Sequence, residues 1–401
     1  MLTSLAFIFL AGLLMAAVCK RLRLPGIIGM LITGIVLGPY VLDLLDPSIL
    51  SVSSDLRQMA LIIILLKAGL SLDLSDLKRV GRPAIMMSCV PASCEILAFF
   101  LLAPSLLGVT RIEAAVMGAV LAAVSPAVVV PRMVRLMDEK YGTEKSIPQL
   151  ILAGASCDDI FVIVLFSTFS GIAQGGHANV MGFVNIPVSI VLGIALGAVA
   201  GFVLSVFFEI SYAHKHCVRN SVKVIIVLGV SFLLMAVETW LKGMVSVSGL
   251  LAVVSMACVI RIRCVPQVTA RLSEKFGKLW LAAEVILFVL VGAAVDIRYT
   301  LEAGIAAVAM IFAALVFRGI GVSLCLIKTS LSFKERLFCI IAYLPKATVQ
   351  AAIGSVPLAM GLPCGKIVLS VAVLAILITA PLGAIGIDSA YKKLLTHDEN
   401  G

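Results

Sequence analysis

The chain alternates between long apolar runs and short polar connections. Thirteen apolar segments can be read, and most are long enough to cross a bilayer as a helix, which takes about 20 residues. The first lacks a basic leader and another span follows at once, so it is interpreted as a helix and not as a signal peptide. The segments are 3–18, 24–41, 57–72, 84–106, 112–134, 147–171, 181–210, 222–241, 244–260, 279–297, 301–327, 335–358 and 366–386. This pattern predicts an all-α polytopic membrane protein with about thirteen transmembrane helices.

Composition and charge agree with this class. Hydrophobic residues make up 61% of the chain and charged residues only 13%, whereas about a quarter of a soluble domain is charged. The net charge of +9 comes from lysines and arginines concentrated in alternate loops, those after segments 1, 3, 5, 7, 9 and 11, and in the C-terminal tail. The positive-inside rule places these loops and the C-terminus in the cytoplasm, and the N-terminus outside. The basic excess therefore indicates topology, and no nucleic-acid partner is expected.

The ten cysteines lie singly in apolar runs, without CxxC or His-rich spacing. Such cysteines pack as small apolar residues more often than they hold a metal or form a disulfide. No cofactor is expected.

Charged residues inside the apolar segments are the places to look for function, because charge is costly at membrane depth and usually pairs or lines a pathway. The set consists of Lys67, Glu95, Asp158, Asp159, Glu284, Arg318 and Lys346. No chemistry is assigned to Lys67 or Glu284, which can pair within the scaffold.

Two of these charges are neighbours in one span, Asp158 and Asp159 in the run 150–169. Each carboxylate costs about 2.5–3.5 kcal/mol on insertion scales, and the two repel each other. Adjacent helical residues point about 100° apart, so one of them is expected to be the principal ligand of a small site. Burial and repulsion favour protonation of at least one carboxyl. A carboxylate that accepts either a proton or a cation is the minimum device for antiport.

An internal repeat becomes visible when the chain is shifted by 223 residues. Gly69 then falls on Gly292 and Asp73 on Asp296, while Glu95 falls on Arg318. Since the shift spans seven segments, an odd number, the two copies must lie inverted in the membrane, as in many secondary transporters.

Segments 5 and 12 are equivalent in this repeat, and both contain proline: Pro126 and Pro131 in one, Pro345 in the other. Proline removes an amide donor and frees carbonyls, so both segments are predicted to be discontinuous. Ser125 and the freed carbonyls around Val124 are expected to complete an oxygen shell for Na⁺ or Li⁺ around Asp158 and Asp159.

The remaining charges near these segments are given charge-compensating or structural roles. Glu95 and Arg318 are expected to form a buried ion pair. Loss of Glu95 should lower stability more than transport, and reversing the charges at both positions together should partly restore stability. Lys346, beside Pro345, is expected to offset the negative ends of half-helices, or to pair with an aspartate.

Four stretches in order carry a resemblance to a known family. They read LPGIIGMLITGIVLGP (24–39), AVSPAVVVP (123–131), GASCDDI (154–160) and LPKATVQAAIG (344–354). Together they resemble the cation/proton antiporter superfamily, nearest to a bacterial member of the NHA branch of sodium/proton antiporters.

The resemblance implies an NhaA/NapA-like fold of two inverted six-helix repeats with crossed discontinuous helices, assembly as a homodimer, and elevator-type alternating access. It also implies an ion and proton site at Asp158 and Asp159, with Ser125 beside it. Arg318 stands where strongly electrogenic relatives carry lysine, which favours electroneutral exchange. The implied domains are a scaffold and dimerisation domain at 1–83 and 222–300, an ion-translocating core domain at 84–173 and 301–386, a linking helix at 181–210, and a cytoplasmic tail at 387–401.

The function predicted is thus secondary active antiport of Na⁺ or Li⁺ against protons in the inner (plasma) membrane, by a transporter and not an enzyme. Its expected partners are the bilayer, monovalent cations, protons and a second copy. The main alternative is a sodium-coupled symporter of an organic anion, which needs more polar groups in the core than Ser125, Ser156, Thr348 and Gln350. A passive cation channel is another alternative, which sodium flux without opposing proton flux would favour. An intramembrane aspartyl protease needs aspartates on two helices and is disfavoured.

Overall fold

The computed structural model describes residues 1–22, 24–71, 81–174, 180–213, 219–241 and 247–397. The described residues form helices and connections, with a single isolated bridge between Tyr141 and His397 among them. Asp73, half of one repeat match, lies outside the described residues. The helices are α1 (Leu2–Arg21), α2 (Gly26–Leu37), α3 (Pro47–Ser51), α4 (Ser53–Ser71), α5 (Arg82–Met87), α6 (Val90–Leu107), α7 (Arg111–Leu121), α8 (Pro126–Asp138), α9 (Ile147–Gln174), α10 (Val180–Ala213), α11 (Asn220–Trp240), α12 (Gly249–Arg263), α13 (Pro266–Ala293), α14 (Ile297–Cys325), α15 (Phe333–Ala342), α16 (Thr348–Gly354), α17 (Val356–Ala359) and α18 (Gly365–Leu394).

Within the described part of the chain, nine helical stretches are long and apolar enough to span a bilayer, and two shorter apolar helices are Gly26–Leu37 and Thr348–Ala359. Helix lies in each of the thirteen apolar segments, so the predicted all-α class is confirmed. The number of thirteen spans stays a prediction.

The helices α7 and α15 both begin with a capping box. Thr110 accepts from the amide of Glu113, and the Glu113 carboxylate accepts in return from the Thr110 amide at 2.8 Å. Ser332 and Glu335 repeat this arrangement at the start of α15. Such reciprocal caps satisfy amides that have no partner within the helix. Both capped helices run into the breaks described below.

The chain divides into two compact units. The first comprises 1–57, 73–162 and 285–401, and it contains every residue assigned above to the ion site. The second comprises 58–72 and 163–284, and it contains Lys67 and Glu284. These units have other bounds than the predicted scaffold and core, and that functional division stays a prediction.

Helices α10 and α12 of the second unit pack backbone against backbone. Gly193, Gly197 and Gly201 recur every four residues on α10, and a Cβ at any of them would overlap a backbone oxygen of α12 or of Ser248 just before it. Small residues at this spacing let helices approach closely where the lipid supplies no hydrophobic driving force.

Gly197→Ala is therefore expected to destabilise the protein, because the added methyl group meets the carbonyl of Ala252. Overpacking of this kind costs about 1–3 kcal/mol. Gly229→Ala on α11 is the matched control, since a Cβ there has no neighbour within 4 Å in the described structure. Helix propensity alone should make that control neutral or more stable by up to about 1 kcal/mol. Thermal unfolding in detergent compares the two, and equal effects would contradict this packing.

Candidate ion-exchange site

Two helix breaks meet in the first unit. Helix α7 ends at Leu121 and α8 begins at Pro126, while α15 ends at Ala342 and α16 begins at Thr348. The prediction that both segments are discontinuous is confirmed. The Ser125 amide donates to the Pro345 carbonyl at 2.8 Å, so one break contacts the other directly. Pro131 lies inside α8 without ending it.

Gln350 joins the two breaks a second time. Its Oε1 accepts from the Ala347 amide at 2.8 Å, and its Nε2 donates to the carbonyls of Ala123 at 2.7 Å and Leu121 at 3.3 Å. The side chain is completely buried. This polar residue of the LPKATVQAAIG motif thus hydrogen-bonds backbone groups that have no helical partner at the breaks.

Arg318 on α14 lies at the centre of the buried charges. Its Nη1 donates to Glu95 at 2.8 Å and its Nη2 to Asp158 at 3.1 Å. Its Nε donates to the Tyr343 carbonyl at 2.6 Å, Nη1 also contacts the Ala122 carbonyl, and the guanidinium lies over the Tyr343 ring. The contact between Glu95 and Arg318 predicted from the repeat is present. Arg318 in addition ties both breaks to Asp158.

Lys346 completes this arrangement from the break of segment 12. Its Nζ donates to the same Glu95 oxygen at 2.6 Å, and its amide donates to Thr379 at 2.9 Å. The partner of Lys346 is thus Glu95 and not an aspartate, while its effect on the half-helix ends stays a prediction. Glu95 therefore accepts hydrogen bonds from two basic side chains, whereas Asp158 accepts from one.

The two aspartates on α9 have different surroundings. Asp158 is completely buried, and its Oδ2 accepts from the Val124 amide at 2.8 Å as well as from Arg318. Asp159 is 6% exposed, and it makes no ion pair or hydrogen bond with another described residue. Oδ1 of each aspartate is buried without a partner in the described structure, as is Ser125 Oγ.

These five side chains, Glu95, Asp158, Asp159, Arg318 and Lys346, are called the charge cluster below. Within the described residues, the cluster sets three carboxyl groups against two bases. With every group ionised it carries one negative charge in excess, and one bound monovalent cation or one proton removes that excess. Buried charge of this kind is costly unless it is compensated.

The carbonyls freed by the first break have protein donors in the described structure, and their predicted part in an ion shell stays a prediction. The carbonyls of Leu121, Ala122 and Ala123 accept hydrogen bonds from Gln350 and Arg318, and Val124 contributes its amide to Asp158. Protein donors hold these groups because a break inside a packed core cannot leave them to water. One oxygen each of Asp158, Asp159, Ser125 and Thr348 is buried without a protein partner in the described structure.

Comparison with known proteins identifies the family. The family model described as "Sodium/hydrogen exchanger, transmembrane" matches residues 5–392. The chain belongs to the sodium/hydrogen exchanger family. Human sodium/hydrogen exchanger 9B2 is 35% identical over 390 residues, which cover 94% of this chain and 71% of the relative. Human sodium/hydrogen exchanger 9B1 is 32% identical over 422 residues, covering 98% and 78%.

A solved structure has the same fold. The sodium proton antiporter MjNhaP1 from Methanocaldococcus jannaschii matches 98% of this chain and 99% of its own, with a TM-score of 0.81 and 23% identity. The resemblance to cation/proton antiporters is confirmed. This family member is a multi-pass membrane transporter and not an enzyme, since its relatives are exchangers.

Proposed function

We propose that this family member exchanges Na⁺ or Li⁺ for protons, and that cation and proton compete for one site at Asp158 and Asp159. The observation that carries this proposal is the excess of one carboxyl group in the charge cluster. A single cation or a single proton neutralises the cluster, and binding of both would leave it with an excess positive charge. Exclusive binding of one or the other is the condition for coupled exchange.

The surroundings of the two aspartates divide their roles. Asp158 has Arg318 and the Val124 amide as donors, which stabilise its ionised form. Asp159 has no such donor at its buried oxygen among the described residues and is slightly exposed. Asp159 is therefore the residue that binds the proton or the cation. Oδ1 of Asp158 and the Ser125 hydroxyl are further ligands of the cation.

The same division supports electroneutral exchange. Arginine stays protonated in proteins, so Arg318 cannot carry the proton. Lys346 donates to Glu95 and makes no hydrogen bond to either aspartate in the described structure. With Asp159 as the carrier, one proton leaves for each cation that enters.

The finer architecture belongs to this proposal too. We take the chain to have thirteen spans in two inverted six-helix repeats, to form homodimers and to work by an elevator motion in the plasma membrane, N-terminus outside. Glu95 and Arg318, 223 positions apart, touch, and the capping motifs at Thr110 and Ser332 lie 222 positions apart. Both observations support the repeat. The symporter alternative loses one candidate substrate ligand, because Gln350 is held by backbone groups.

Transport in vesicles tests the proposal. Vesicles with the cytoplasmic side outward and an acidic interior are mixed with Na⁺ or Li⁺, and a dye follows the interior pH. Both cations are expected to release protons from the interior, at a rate that does not change when the membrane potential is clamped. No alkali-cation-dependent pH change with folded protein would refute antiport, and Na⁺ entry without proton exit would indicate a channel.

Ser125→Ala tests the ligand assignment. The serine hydroxyl has no protein partner in the described structure, so its loss should leave stability unchanged and raise the KM for Na⁺ by about 3- to 10-fold. Ser231→Ala is the control, because that buried serine bonds the carbonyl of its own helix at Val227. An unchanged KM in Ser125→Ala would remove Ser125 from the site.

A further inference from the structure

The hydrogen bonds of the first break fall into two sets. The carbonyls of Leu121 and Ala123 accept from Gln350, and the Ser125 amide donates to Pro345. The groups between them contact the charge cluster: the Ala122 carbonyl meets Arg318, and the Val124 amide donates to Asp158. Backbone groups of five successive residues, 121–125, thus bond alternately to segment 12 and to the charged residues.

Gln350 bonds the two carbonyls of the first set and, at the other end of its amide, the start of α16. The NH₂ group supplies two donors for two carbonyls, and the oxygen accepts from the Ala347 amide at the start of α16. Each of these backbone groups would otherwise be buried without a partner, at a cost of about 1–3 kcal/mol each. A glutamine amide is the side chain of this length that offers donors and an acceptor together.

We infer that Gln350 is a positioning residue for cation and proton exchange: it fixes the peptide that presents the Val124 N–H to Asp158. Its side chain makes no hydrogen bond to either aspartate in the described structure. It acts through the Ala123 carbonyl, which belongs to the same peptide group as the Val124 N–H. A hydrogen bond on that carbonyl sets the direction in which the N–H points. This inference rests on the proposed function, since it assigns a role within that site.

Polarisation adds to the geometric effect. Hydrogen bonds in a chain strengthen one another in a low dielectric. Donation from Gln350 to the Ala123 carbonyl therefore makes the Val124 N–H a better donor to Asp158. The ionised form of Asp158 gains from this, and the proton is left to Asp159.

Gln350→Glu gives a test that depends on protonation. The introduced carboxyl has nearly the same shape and still accepts from the Ala347 amide. When ionised, its second oxygen faces two carbonyl oxygens and adds negative charge near the cluster. When protonated, it donates to the Ala123 carbonyl and restores the shorter bond. The ratio of variant to wild-type exchange rate should therefore rise by about 10-fold as pH falls from about 9 to about 6.

Controls separate this effect from unfolding and from added charge. Gln350→Met removes all three hydrogen bonds at similar volume, so its rate ratio should be low and independent of pH. Gln267→Glu adds a carboxyl at an exposed position of the second unit and should keep a ratio near one at every pH. Recovery of the Gln350→Glu sample on acidification shows that it is folded.

The outcomes are distinct. Wild-type protein without exchange refutes the proposed function before the variants are compared. Wild-type exchange with a flat ratio for Gln350→Glu, whether near one or uniformly low, overturns the role of Gln350. A ratio that rises with acid in Gln350→Glu and stays flat in both controls supports it.

Discussion

Asp159→Asn is expected to reduce Na⁺- and Li⁺-dependent proton exchange to the background of empty vesicles while the protein stays folded. Asparagine nearly preserves the shape of aspartate but can neither release a proton at the site nor supply negative charge. The remaining cluster would then hold two carboxyl groups against two bases, which is neutral without any cation. The variant therefore lacks the excess negative charge that attracts Na⁺ to the site.

The fold should tolerate this change. Asp159 makes no ion pair or hydrogen bond with the described residues, so its replacement breaks no network, and it removes a costly buried charge. The unfolding midpoint of Asp159→Asn should equal or exceed that of wild type. Asp138→Asn is the matched control, since Asp138 is exposed at the end of α8. Full activity in Asp159→Asn, or an equal loss in Asp138→Asn, would reject this assignment.

Arg318→Met is expected to be the most destabilising single change in the charge cluster. Methionine fills much of the space but donates no hydrogen bond. Glu95 and Asp158 would each lose a cationic donor, and the carbonyls of Ala122 and Tyr343 would lose theirs. The excess negative charge would rise from one to two. Breaking a buried ion pair in this way costs about 3–5 kcal/mol.

Lys278→Met is the control for this loss. Lys278 pairs with Glu274 at 2.6 Å, but both side chains are exposed, 70% and 63%. Exposed pairs contribute about 0–1 kcal/mol, so the unfolding midpoint should barely move. Thermal unfolding in detergent, read by loss of monodisperse protein, compares the two variants. Similar shifts in both would show that Arg318 does not stabilise the core as described.

The structure also changes what a swap of charges at positions 95 and 318 should do. Sequence alone suggests partial rescue, because the two residues are treated as an isolated pair. Lys346 also contacts Glu95, and Asp158 also contacts Arg318. After the swap, a new arginine would face Lys346 and a new glutamate would face Asp158. The double variant is expected to be no more stable than either single one.

Much of the site follows from the sequence for identifiable reasons. Apolar runs of bilayer length predict the helices, and charges within those runs single out Glu95, Asp158, Asp159, Arg318 and Lys346. Prolines in segments 5 and 12 predict the breaks, since proline cannot continue the hydrogen-bond ladder. The 223-residue shift predicts the contact between Glu95 and Arg318. All of these are properties of spacing along the chain.

The connections inside the site do not follow from the sequence pattern. The pattern offers Gln350 only as a candidate substrate ligand and does not single out Thr379. Their partners are backbone groups whose directions depend on how the two broken helices meet, which no local pattern encodes. One signal was available: each break must find donors for its freed carbonyls, and a buried glutamine near the second break is a suitable donor.

Release of protons by Na⁺ from the purified protein tests the central claim of competition most directly. In weakly buffered detergent solution, NaCl is added to wild type and to Asp159→Asn, with choline chloride as the ionic control. Wild type should release up to about one proton per Na⁺ bound, because cation and proton exclude each other at one carboxyl. Asp159→Asn should release none. Sodium binding to wild type without proton release, or equal release by the variant, would contradict competition at Asp159.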